Sequence, residues 1–118
     1  MKIYIICAVR NAEKGHKDFC DNYVIQLEKQ GHTVHYPPRD VDQTDDGVGL
    51  NICIHHRQAM LNADEIHVIW DSKSTGSHFD LGMAFIMNAI KGSKIKSIGN
   101  LERTPHKSYT NVLLELSG

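Results

Sequence analysis

Blocks of apolar residues alternate with polar loops along the chain, and the period inside each block distinguishes strand from helix. Residues 2–9, beginning Lys2-Ile3-Tyr4-Ile5-Ile6-Cys7, are apolar and β-branched on both faces. That pattern predicts a central strand of a parallel sheet. From 14 to 30, Phe19, Tyr23 (with Val24) and Leu27 recur at helical spacing, and Gly31 follows as a C-cap. Thr33-Val34-His35-Tyr36 reads as a short second strand, stopped by Pro37-Pro38. Residues 50–62 read as a second helix with Ile52, Ile54, Met60 and Leu61 toward the core. Glu65-Ile66-His67-Val68-Ile69-Trp70 reads as a buried third strand, and Leu81 to about Lys91 as an apolar third helix ended by Gly92. Lys94 to Ile98 reads as a fourth strand, and the tail from Tyr109 to Leu116 fits either a helix or an edge strand.

Strands and helices thus alternate. The order predicts an α/β class, a single Rossmann-like (flavodoxin-like) domain over 1–118, with a mainly parallel four- to five-stranded sheet flanked by helices. Such sheets bind ligands outside the carboxyl ends of their strands. Three polar loops fall there: Arg10-Asn11, Arg39 to Gly49, and Ser72 to Asp80.

The third loop is the richest in chemistry. Ser72-Lys73-Ser74-Thr75-Gly76-Ser77-His78-Phe79-Asp80 joins a strand to a helix, and free N–H groups at a helix start favour an anion. Ser74, Gly76 and Ser77 would bind phosphate or sugar through hydroxyl and N–H groups, or Ser77 or Thr75 would simply cap the helix. Asp80 is expected in the first turn. It either complements the helix dipole or acts on a sugar carbon beside a phosphate. His78 is a ligand contact or an exposed loop residue. Arg10 is a clamp for phosphate or carboxylate, or a surface arginine. Tyr4 is a core tyrosine whose hydroxyl is within range of the cleft. His55-His56-Arg57 is either catalytic or the polar face of a helix. The acidic stretch 39–49 is a solvated loop or a lid over substrate.

Several alternatives fall away. Walker A and GxGxxG patterns are missing, and the acidic stretch lacks the Gly and Glu positions of an EF-hand. Adjacent histidines on a helix point about 100° apart, and His32 and His35 point to opposite sides, so no metal site is expected. No cofactor is expected either. Across the 118 residues the net charge is −1, which gives no domain-wide basic footprint for nucleic acid. Apolar runs fall short of the roughly 20 residues that span a membrane. The opening strand pattern has no signal-peptide layout. Together with Cys7, Cys20 and Cys53 lacking CxxC spacing, this leads to an expectation of reduced thiols in a cytoplasmic protein. The alternative for the cysteines is one reactive nucleophile.

Lys2-Ile3-Tyr4-Ile5, the Ala63-Asp64 turn, and Ser74-Thr75-Gly76-Ser77-His78-Phe79-Asp80-Leu81-Gly82 resemble the nucleoside 2-deoxyribosyltransferase-like superfamily, which includes the 2′-deoxynucleoside 5′-phosphate N-hydrolases. In that family a glutamate in a Gly-x-x-x-Glu-Leu-Gly-like segment attacks the anomeric carbon. Asp80 occupies the matching position here. The resemblance implies that Ser74 and Arg10 contact phosphate and that Tyr4 is the first-strand tyrosine of the site. The family's second carboxylate falls at His56, with His55 and Arg57 beside it. Asp for Glu and His for Asp are the two departures. A shift of about 1 Å at such a site is worth on the order of a hundredfold in rate.

The expected function is cleavage or transfer of the N-glycosidic bond of a (deoxy)nucleoside or nucleoside 5′-monophosphate. Asp80 would act at the anomeric carbon, and His55, His56 or a lid aspartate such as Asp46 would serve as acid. The rival reading is a non-catalytic module that senses or sequesters a nucleotide-derived signal. The resemblance also implies a homo-oligomer, and the run Met83-Ala84-Phe85-Ile86-Met87 is more apolar than one sheet contact needs.

Overall fold

The first strand, β1 (Lys2–Ile6), sits at the centre because both of its faces are apolar. A computed structural model of the chain describes residues 1–44 and 47–118. In chain order the remaining elements are α1 (Lys14–Lys29), β2 (Thr33–His35), α2 (Pro37–Asp40), α3 (Leu50–Leu61), β3 (Glu65–Val68), α4 (Thr75–Lys91), β4 (Lys94–Ser97) and α5 (Tyr109–Ser117). The four strands pair in the order β2-β1-β3-β4, all parallel. Four strands and five helices among the described residues make the α/β architecture expected from the sequence.

Strand alternation divides the core in two. Tyr4 and Ile6 of β1 face α3, α4 and α5, where they meet Met60, Ile66, Val68, Leu81, Ala84, Met87 and Leu113. Ile3 and Ile5 face α1 and meet Cys20, Val24 and Leu27. Burying each large aliphatic side chain contributes roughly 1.5–3 kcal/mol, so these two clusters carry most of the driving force. The Ala63-Asp64 turn is tied to the start of β1 twice. The Asp64 N–H donates to the Lys2 carbonyl at 2.7 Å, and the Lys2 N–H donates to the Asp64 carboxylate at 2.8 Å.

Several boundaries differ from expectation. The strands end earlier, β1 at Ile6 and β3 at Val68, because the residues after them turn into loops that shape the cavity described below. Pro37-Pro38 ends the second strand but also starts the one-turn helix α2, since proline suits a first helical turn. In α1 the buried stripe is Cys20, Val24 and Leu27, one residue out of phase with Phe19, which is exposed. Leu61 is also exposed, because only Met60 of its helix is fully covered. The tail is a helix, capped where Ser108 Oγ accepts from the Asn111 N–H at 3.1 Å.

The largest difference concerns α4. It begins at Thr75, six residues before the apolar run, because Ser74 Oγ accepts the Ser77 N–H at 3.1 Å and caps it there. Asp80 is therefore in the second turn, not the first, and no acidic residue lies in the first turn. The dipole-complement role expected for Asp80 is correspondingly weak, since that effect fades within a turn.

Candidate functional site

The carboxyl ends of β1, β2 and β3 open into a cavity of about 270 Å³. Cys7, Val9 and Arg10 come from the loop after β1, Pro37 and Gln43 from the segment after β2, and Gly49, Ile52, Cys53 and His56 from α3 and its start. Ser74, Thr75, Gly76, Phe79 and Asp80 come from α4 and its cap. Of the residues singled out in the sequence, Arg10, His56, Ser74, Gly76 and Asp80 converge here.

Asp80 lies on the inward face of α4 and is only 6% exposed. A buried carboxylate needs partners, and two are in place. The Tyr4 hydroxyl donates to Oδ2 at 3.0 Å. His56 Nδ1 lies 3.3 Å from both carboxylate oxygens. Burial, and then the neighbouring Asp80, push the Tyr4 hydroxyl far above its ordinary pKa, so Tyr4 remains a neutral donor. The His35 ring stacks on Tyr4 at 5.4 Å between centroids and 11° between planes, and His56 meets Tyr4 edge-on at 6.2 Å. Burial lowers the His35 pKa. The Nε2 atoms of His35 and His56 are buried without a hydrogen-bond partner among the described residues.

The α4 N-terminus forms one end of the cavity. Thr75 and Gly76 occupy the first two helical positions, where an N–H has no intrahelical partner. The exposed Arg10 side chain stands at the rim, one residue before Asn11, whose φ of 58° turns the chain sharply. A cationic rim and open N–H groups at one end, with a buried carboxylate farther in, suit a phosphorylated sugar.

Other sequence candidates lie elsewhere. Ser77 is buried beneath the cavity wall, and its Oγ has no partner among the described residues. His78 turns away from Asp80. Its Nδ1 is 2.7 Å from the Ser74 carbonyl, and its ring packs on Trp70 at 4.7 Å and against Tyr109 at 5.4 Å. It lines a groove of about 660 Å³ between α4 and α5, which shares Thr75 and Phe79 with the Asp80 cavity. His55 and Arg57 are exposed on other faces of α3, outside the cavity lining, because consecutive helical residues point about 100° apart. Asp46 lies outside the described residues.

Sequence reasoning missed Gln43, Ile52, Cys53 and Phe79 as cavity residues. Ile52 and Phe79 look like ordinary apolar positions in one dimension, and Gln43 sits in a polar loop with no motif. Cys7 lines the cavity as well. Its contact with Cys20, and then burial, push its thiol up, so it is no ready nucleophile.

No family model matches the chain, and no curated protein matches it. Solved structures share its fold, among them two of nucleoside-processing enzymes. One is a CMP N-glycosidase, BcmB, of Clostridium botulinum, with a TM-score of 0.64 and 17% identity over 99% of this chain and 83% of that one. The other is a 2-deoxyribosyltransferase of Bacillus psychrosaccharolyticus, with a TM-score of 0.62 and 18% identity over 96% of this chain and 90% of that one. At this identity the likeness shows the fold, and that α/β fold is the one the sequence resemblance implies.

Proposed function

We propose that this chain acts on the N-glycosidic bond of a nucleoside 5′-monophosphate or nucleoside, with Asp80 as the carboxylate at the anomeric carbon. The observation that carries this reading is the position of Asp80. It is a buried carboxylate in a cavity wall, held by Tyr4 and His56, in a cavity whose end is the N-terminus of the same helix. The fold shared with an N-glycosidase and a deoxyribosyltransferase supports the same reading.

Phosphate would rest on the Thr75 and Gly76 N–H groups, with Ser74 and Arg10 at the rim. The sugar would then lie over Asp80. The carboxylate attacks C1′ or stabilises the oxocarbenium-like transition state as the base departs. The neutral Tyr4 hydroxyl fixes the carboxylate's rotamer. His56 holds its other side and is the imidazole in the wall that would donate to the departing base. Water at C1′ gives hydrolysis, and a second base gives transfer. The two departures from the family pattern are adjacent in space, because Asp80 and His56 touch. Asp for Glu and His for Asp thus form one altered pair. The Ser77, His78, His55 and Arg57 assignments have no support from the cavity's lining among the described residues.

The test is chromatography of nucleosides, 5′-monophosphates and NAD after incubation with wild type and with Asp80→Ala. Base released by wild type and lost in Asp80→Ala is the expected result. Equal release by both removes Asp80 from the mechanism. No release from any compound, with a nucleotide co-purifying intact, favours a module that binds without cleaving.

A further inference from the structure

We infer that His35 is a positioning residue of this site, acting on Asp80 through Tyr4 and on His56 through charge. This rests on the catalytic reading of Asp80 and adds a proton-sensitive support behind it. His35 lies outside the cavity lining, so it acts through other residues. Parallel pairing sets Tyr4 opposite His35, and both side chains leave the sheet on the same face. Their rings lie 11° from parallel with centroids 5.4 Å apart. His56 meets the same phenol edge-on from α3. Two imidazoles therefore hold one ring, and the hydroxyl of that ring holds the Asp80 carboxylate at 3.0 Å. Removing the His35 ring opens space on one face of Tyr4. A small turn of the phenol then carries its hydroxyl off Asp80.

The two histidines differ in what meets a proton. A proton on His56 Nδ1 lies 3.3 Å from the Asp80 carboxylate. Around His35 stand the neutral Tyr4 of β1, Arg39 and Asp40 of α2, and His55 and His56 of α3. Arg39 and Asp40 pair with each other at 2.7 Å, so their fields largely offset. The Nε2 atom of His35 is buried without a partner among the described residues. Burial disfavours charge on His35 and outweighs the pull of Asp40, and His56, Arg39 and His55 oppose that charge further. At neutral pH His35 is thus an uncharged plane behind Tyr4, and the proton for the departing base is left to His56. In acid His35 takes up a proton. The cation then strengthens the bond from Tyr4 to Asp80, drawing charge away from C1′, and it repels a proton on His56. Both effects slow departure of the base.

Two measurements separate this role from simple packing. The first is base release from nucleosides and 5′-monophosphates across pH. His35→Ala is expected to lower kcat about tenfold with KM little changed, because a displaced phenol misplaces Asp80. His35→Phe restores the plane without a titrating nitrogen. It is expected to recover most of that loss and to carry the acid limb of activity to lower pH than in wild type. The second measurement needs no turnover. Imidazole C2 protons are followed by NMR against pH, and the His35 midpoint is expected to move up in His56→Gln, where the facing like charge is gone. Wild-type kcat in His35→Ala, a loss that His35→Phe does not recover, an acid limb unmoved by His35→Phe, or a His35 midpoint unmoved by His56→Gln overturns the inference. No base release from any compound, with the midpoint still moved, overturns the catalytic reading and leaves the coupling of the two histidines standing. Base release with an unmoved midpoint does the reverse.

Discussion

Tyr4 is the residue whose chemistry is most constrained by its surroundings. It is fully buried in a strand, and its one polar atom reaches Asp80. Tyr4→Phe keeps the ring and its stack on His35 but takes a donor from a buried carboxylate. The expected cost is about 1–3 kcal/mol of stability, seen as a fall in Tm at about 4 °C per kcal/mol. If the proposed chemistry holds, kcat also falls by about tenfold with KM little changed, because the group lost positions Asp80 and touches no substrate. A Tyr4→Phe enzyme with wild-type kcat would detach Tyr4 from the mechanism. His35 gives a second prediction at this scale. Burial lowers the pKa of both His35 and His67 in the folded chain. Below the unfolded value of about 6.5, the unfolded state binds more protons, so stability falls as pH drops from 7.5 to 5.5. His35→Phe keeps an aromatic face for Tyr4 and removes a buried unpartnered nitrogen. Its Tm relative to wild type is expected to be more favourable at pH 5.5 than at pH 7.5. A pH-independent difference would count against a titrating His35. In the sequence Tyr4, His35, His56 and Asp80 are four separate polar residues, two of them on strands. The family resemblance groups Tyr4, His56 and Asp80 in one site, but the place of His35 beside them comes only from strand pairing and was not legible without the fold.

At the scale of elements, α4 shows why the functional segment was found but misread. Its apolar repeat starts at Leu81, so periodicity places the helix there. The cap at Ser74 is a shorter signal, and it overrides the Gly and Ser residues that follow. Those residues have poor helical propensity, yet their small side chains let the first turn border the cavity. Ser74→Ala removes the bond to the Ser77 N–H and is expected to cost about 1 kcal/mol, measurable by chemical denaturation. Under the proposed function it also weakens a 5′-monophosphate more than the matching nucleoside. Equal loss of affinity for the two would assign Ser74 to capping alone. Elements with a plain apolar pattern, β1, α1 and β3, were legible to within a few residues. The α2 turn and the phase of α1 were not, because one depends on proline geometry and the other on which flank meets the sheet.

The described residues are unequally layered, with α3, α4 and α5 packed on one face of the sheet and α1 on the other. On the crowded side α4 still presents Phe85, Ile86 and Ile90, each more than half exposed. Phe79 and Tyr109 border the groove beside them. Phe79 and Thr75 border the Asp80 cavity as well, so this apolar face is continuous with the proposed site. The proposed occupant is a second copy of the chain. Sedimentation at micromolar concentration is expected to show a dimer for wild type and a monomer for Ile86→Glu. A wild-type monomer would rule the seam out. No helix among the described residues is long and apolar enough to cross a membrane, so the exposed face has no support as part of a span.

The central position of β1 has a kinetic consequence. It precedes the other strands among the described residues, and its partner β3 follows about sixty residues later in the chain. Every strand pairing is parallel, so none closes through a hairpin, and each requires a long loop to form first. Topologies of this kind fold slowly compared with helical bundles of equal length. During synthesis the apolar Ile3-Tyr4-Ile5-Ile6 segment must therefore wait for its second neighbour, with one edge unpaired until Glu65 to Val68 have left the ribosome.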